Sequence, residues 1–131
     1  MAGSDDGGAG PAIVEAFVAG DAAAMTALLA RDATFHSPVT DYRGRSRVGE
    51  VLAALVEVVT EVHLTRVLEG ADGTAGFFTA SADGRGADGV LLVVGAPGGP
   101  ASDVTLMVRP LSSLLSGIER MKALLDRDRG V

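Results

Sequence analysis

The chain has 131 residues, 47% of them hydrophobic, a formal net charge of −6 and a pI near 4.7, which is enough apolar material for one domain with a substantial core. With no cysteine and only two histidines, His36 and His63, it has no means of forming disulfides, thiolate metal sites or a cysteine nucleophile, and neither a histidine-built metal centre nor a cofactor is expected. The acidic surface repels nucleic acid and anionic lipid, and no apolar run approaches the roughly 18 residues of a membrane span, so neither is expected as a partner.

Residues 1–10, "MAGSDDGGAG", are acidic and glycine-rich, with neither the basic nor the apolar region of a signal peptide. They read as a disordered tail on a cytoplasmic protein, ahead of a domain over 11–126 and a frayed end over 127–131. Pro11 suits a first helical turn, and Ile13, Val14, Phe17 and Val18 repeat at helical spacing. Gly20 stops this helix and Asp21 caps a second, over residues 22–31, with Met25, Leu28 and Leu29 on one face. A short strand over 33–37 runs into Pro38, which cannot donate to a ladder. "DYRGRS" is a loop, and Ser46 caps a third helix. There Val48, Val51, Leu52, Leu55, Val56 and Val59 form one apolar stripe, with Arg47, Glu50 and Glu57 off it.

After Thr60 the period falls from 3.6 to 2. Val62, Leu64, Arg66 and Leu68 alternate with His63, Thr65 and Val67, and "GADG" turns the chain. "TAGFFTASA" is the next strand, "DGRG" the next turn, and "ADGVLLVV" a nearly continuous apolar strand whose two faces are both covered. "GAPGGPAS" is a long turn; it lacks the lysine and hydroxyl of a phosphate loop, and no helix follows it. "DVTLMVR" is the last strand of an antiparallel meander. Pro110 opens a final helix with Leu111, Leu114, Leu115, Ile118, Met121 and Leu125 on its apolar stripe. The predicted class is α+β: three N-terminal helices wrapped by a curved antiparallel sheet into a cone, with an extra C-terminal helix. Such a layer over a bent sheet leaves a gap suited to a small apolar ligand.

Four stretches carry a family resemblance: "AIVEAFVAGDAAAMTALLARDATFHSPV", "YRGRSRVGEVLAAL", "GADGVLLV" and "DVTLMVRPLSSLLSGIERM". In order and spacing the chain resembles the NTF2-like superfamily, and within it the SnoaL-like group related to polyketide cyclases and ketosteroid isomerases. The resemblance implies a conical α+β barrel with an apolar cavity, often dimeric through the outer sheet face. It also implies where isomerase chemistry would lie. The carboxylate base before the strand-ending proline is here Ser37, a hydroxyl that abstracts no proton unless a base activates it. The tyrosine of the first helix is here Ile13, and the buried acid of a later strand is matched by Asp88. Two of the three groups are missing, so the resemblance does not carry the isomerase mechanism with it.

The candidate catalytic residues are therefore Asp88, whose pKa an apolar cavity would raise, and His36, a general base near neutrality. Each has a competing structural reading. Asp88 precedes a glycine and suits a wet turn, while His36 alternates with Ser37 and so faces away from whatever Ser37 lines. Arg109 reads as an ion-pair partner that fixes the last helix. Asp32 and Asp41 read as solvated loop acids. The expected ligand-binding wall is Val14, Phe17, Phe35, Ser37, Tyr42, Leu52, Val56, His63, Phe77, Leu91 and Met107. Three functions fit these residues: binding of a small apolar molecule, acid–base cyclisation or isomerisation of a polyketide- or steroid-like carbonyl compound, or a dimeric scaffold with a filled interior.

Overall fold

The structure, a computed structural model, describes residues 8–128. Most of the expected N-terminal tail and the last three residues lie outside that range. Helix α1 (Gly10–Ala19) carries proline in its first turn and buries Ile13, Val14, Ala16 and Phe17. It ends at Gly20, whose φ of 71° suits a residue without a β-carbon. Asp21 accepts from the Ala24 N–H at 3.0 Å and starts α2 (Ala22–Ala27). This helix ends at Ala27 and not at residue 31, because strand pairing claims the chain beyond it. The Ala101 N–H donates to the Leu28 carbonyl at 3.0 Å, and β1 (Leu29–His36) lies beside β6 (Ala101–Arg109). Leu28 and Leu29 do belong to the interior, but through a strand.

Two further local readings change. The "DYR" of the expected loop is a short strand, β2 (Asp41–Arg43), antiparallel to β1; three residues are too few to show a period. Helix α3 (Arg45–Val58) starts one residue before Ser46, after Gly44 and without a side-chain cap. Of its predicted stripe, Val48, Val51, Leu52 and Leu55 are buried and Val56 is half-buried, while Val59 belongs to the strand that follows.

The chain then makes the expected meander of β3 (Val59–Glu69), β4 (Gly73–Ala82), β5 (Arg85–Gly95) and β6. Asp83 and Gly84, both at positive φ, form the two-residue turn between β4 and β5. The six strands form one curved sheet in the order β2-β1-β6-β5-β4-β3, with β2 and β3 at its edges, so the cone is not closed. All its pairs are antiparallel except β1 with β6. That one parallel junction returns the N-terminal strand to the meander.

Register sorts the side chains. Thr74, Val93, Val104, Phe35 and Tyr42 lie in one row across five strands and face the helices. Phe17 meets Phe78 edge-on at 5.1 Å, which locks α1 to the sheet. At Gly89 the strands come so close that a β-carbon would collide with the Met107 carbonyl oxygen. Helix α4 (Leu111–Asp128) then crosses the end of the cone and runs past the expected domain boundary at residue 126. It packs on α3 through Leu124, 1% exposed, against Ala54 and Val58. Two residues of its predicted stripe, Leu111 and Leu115, are exposed instead.

Candidate functional site

The end of the cone under α4 is hollow, with a cavity of about 290 Å³. Most of its wall comes from the ends of the strands and from two helices. Phe35 and Ser37 stand at the end of β1 and Tyr42 on β2; Val51, Leu55 and Val58 come from α3; Leu106 and Val108 come from β6; Leu114, Gly117, Ile118 and Met121 form the α4 side. Phe35 and Tyr42 pair across β1 and β2 and stack with ring centroids 6.4 Å apart, and the Arg47 guanidinium lies over the tyrosine ring at 5.4 Å. Both contacts fix the orientation of Tyr42 at the wall.

Polar groups at this wall are few and mostly engaged. The Ser37 hydroxyl donates to the Thr40 carbonyl at 2.7 Å and accepts from the Val39 and Thr40 N–H groups. It closes the turn that Pro38 begins, and does not replace a base. The Ser113 hydroxyl donates to the Gly86 carbonyl at 2.7 Å. Among the described residues no carboxylate and no imidazole lines the cavity.

Of the predicted wall, Phe35, Ser37 and Tyr42 line this cavity. Val14, Phe17, Leu52 and Leu91 are fully buried in the core between α1, α3 and the sheet, with Val56 packed against it. Phe77 and Met107 stand on the outer face of the sheet, where they line a shallow dish together with Asp88. His63 is exposed on β3. Ile13 is a wholly buried core residue.

The two candidate catalytic residues do not open into the cavity. Asp88 pairs in register with Thr79 and Arg109 on the outer face, and its carboxylate lies 3.6 Å from the Arg109 guanidinium, the ion pair expected of that arginine. The inward positions of β5 are Gly89, Leu91 and Val93. Because "GVLLVV" is apolar throughout, its pattern does not reveal which parity faces in. His36 also faces outward. Its Nδ1 lies 2.9 Å from Asp41 and its Nε2 3.0 Å from Asp103, and those hydrogen bonds, Asp103 first, raise its pKa above the ordinary 6.5. Asp41 is thus a partner of His36 and not merely a solvated loop acid.

Sequence reasoning missed the α4 and β6 wall. The signal was present in the stripe of α4, which required a surface to cover, but the sequence does not name that surface.

The model of the SnoaL-like domain matches residues 12–109. The steroid delta-isomerase of Pseudomonas aeruginosa is similar in structure, with 25% identity, a TM-score of 0.82, and 92% of this chain and 94% of that one covered. An uncharacterised cystatin-like protein of Silicibacter pomeroyi shares 28% identity, with a TM-score of 0.79 and coverage of 88% and 86%. A hypothetical protein of Catenulispora acidiphila with a ketosteroid isomerase-like fold, in complex with trimethylamine, at 20% identity and a TM-score of 0.61 over 82% and 92%, shows the shared fold. Curated protein sequences give no match. With three-quarters of its length matched and the architecture described above, the chain belongs to the SnoaL-like domain family within the NTF2-like fold.

Proposed function

We propose that this protein binds a small apolar molecule in the cavity beneath α4. The observation that carries the reading is the wall itself: aliphatic and aromatic side chains, with no carboxylate or imidazole among the described residues that line it. The hollow lies at the lower end of the roughly 300–1,000 Å³ typical of small-molecule sites. Burial of an apolar ligand there contributes about 25 cal/mol per Å² of surface removed from water.

The test is calorimetric titration with neutral steroids and short aliphatic alcohols, comparing wild type with Gly117→Leu. Gly117 lines the cavity and a β-carbon there makes only ordinary contacts, with Val58 at 3.6 Å and Ala82 at 3.8 Å, so a larger side chain fills the hollow. Binding at one site per chain that the substitution abolishes is the expected result; no binding anywhere in the panel would sink the reading.

The likeness to the Pseudomonas aeruginosa steroid delta-isomerase supports a second reading, proton transfer on a steroid- or polyketide-like carbonyl compound. It requires an acid or base within reach of the substrate, whereas Asp88 and His36 stand on the other face of the sheet. Turnover of an enolisable ketone that Asp88→Asn abolishes would establish this second reading. We also propose that the chain pairs with a second copy through the outer sheet face. The apolar residues exposed there support that pairing, and as a dimer without a ligand the protein would be a scaffold module.

A further inference from the structure

The sequence contains one lysine and one tyrosine, Lys122 and Tyr42, against ten arginines. Both line the cavity beneath α4. Lys122 is the only charged residue that does so among the described residues, and it is exposed at the rim. No acid of the described residues makes a salt bridge with it. Its neighbours on the helix face, three and four residues away, are Leu125 and Ile118, both in the cavity wall. A lysine so placed lays its aliphatic stem along the apolar surface and holds its ammonium at the opening.

The polar complement of the site is correspondingly one-sided. Ser37 and Ser113 are engaged with backbone carbonyls. The remaining groups are the Tyr42 hydroxyl, which has no hydrogen-bond partner among the described residues, and the Lys122 ammonium. A phenol hydroxyl can donate or accept, whereas an ammonium offers three donors and no acceptor. A ligand head that meets Lys122 must therefore accept hydrogen bonds, and negative charge on it adds a charge-assisted bond.

Resting on the binding role argued above, we propose that the ligand is an amphiphile with one carboxylate: its apolar body fills the space between α3, α4 and the sheet, and its head meets Lys122 at the rim. A neutral hydrocarbon would leave the rim ammonium to water alone, and an amine head would be repelled by it. The choice of lysine also fits the geometry. A compact cation on a flexible stem follows a carboxylate at the mouth, where the planar fork of arginine demands a fixed approach.

Tyr42 makes the test direct. With one tyrosine and no tryptophan in the chain, tyrosine emission reports on this cavity alone. Decanoate, decanol and decylammonium, each below its micellar concentration, share one apolar body and differ in the head. Wild type should bind decanoate about fivefold more tightly than decanol, the gain of a partly solvated ion pair, and decylammonium more weakly than either. Lys122→Met keeps the stem and should close the gap between decanoate and decanol. Lys122→Glu should invert the order in favour of decylammonium, a change that loss of packing alone does not produce. Lys122 is exposed, and thermal melts of the two variants check that they fold. Equal affinity of wild type for decanoate and decanol, or a preference that survives Lys122→Met, would overturn the carboxylate assignment and leave the apolar site standing. Binding of none of the three would remove both.

Discussion

His36 shows how much one side chain can hold. It sits at the end of β1, between Asp41 of β2 and Asp103 of β6, and the Ser102 hydroxyl donates in turn to Asp103 at 3.1 Å. Carboxylates only accept, so a neutral imidazole, with one donor and one acceptor, satisfies one of them and not both; the imidazolium satisfies both. Folding therefore favours the protonated form. Because the folded pKa is raised above the unfolded value of about 6.5, the stabilisation is fully present below that value and is lost as pH rises through the folded pKa. The melting temperature of wild type should exceed that of His36→Gln most at about pH 6, and the margin should shrink as the solution is made alkaline. A margin that stays constant across the range would show that the two bonds hold the histidine without regard to its charge. The ring is 38% exposed, so salt should also narrow the margin. The alternation rule put His36 opposite Ser37 correctly; its partner Asp103 was not legible, because it lies 67 residues away in sequence, and Asp41 comes beside His36 only through the short strand β2.

At the scale of elements, α4 decides whether the cone has a cavity or an open end. It is anchored by Leu124 against Ala54 and Val58, and Leu114, Ile118, Met121 and Leu125 face the hollow, which they do not fill. Leu124→Ala should cost about 2–4 kcal/mol, as large-to-small changes in packed sites do, measured by urea unfolding; a cost under about 1 kcal/mol would mean that α4 rests loosely on α3. Gly117 behaves in the opposite way. It lies inside the helix with ordinary space around its missing β-carbon, so Gly117→Ala should stabilise by up to about 1 kcal/mol and raise the melting temperature by roughly 3–4 °C. A lowered melting temperature would show that α4 needs the glycine to approach Val58 and Ala82. The helices and the meander were legible in the sequence because their periods are local: the α3 stripe, the alternation in β6 and the Asp83–Gly84 turn are each set by neighbouring residues. The early end of α2 and the parallel pair of β1 with β6 were not, since each depends on a partner distant in the chain, and β2 is too short to show a period. For the same reason the wall was found in part. Phe35 and Tyr42 were identified from the strand and the loop that follows it and Ser37 from the resemblance, whereas Ile118 and Met121 join the site only once α4 is docked.

The whole molecule has two apolar faces and covers only one of them. Inside, the helices bury the row from Thr74 to Tyr42. Outside, register aligns Leu68, Ala75 and Leu92 in one row and Phe77, Val90 and Met107 in the next. Leu68 is 52% exposed, Leu92 39% and Met107 61%. Monomeric proteins rarely leave so continuous an apolar patch in water. The patch lies on the outer face of these strands, opposite the face that carries the helices and the cavity wall, so covering it does not occlude the ligand site. A twofold axis through it would place each row against its own copy, with the Asp88–Arg109 pair at the margin, where charge sets register more than affinity. The chain should therefore sediment as a dimer at micromolar concentration. Leu92→Glu would place two like charges in the centre of the interface and should yield monomers whose cavity still binds the same ligand. Dimers that survive this substitution would move the contact to another surface. Loss of ligand binding along with the dimer would instead show that the outer face and the cavity, on opposite sides of one sheet, are coupled through the strands they share.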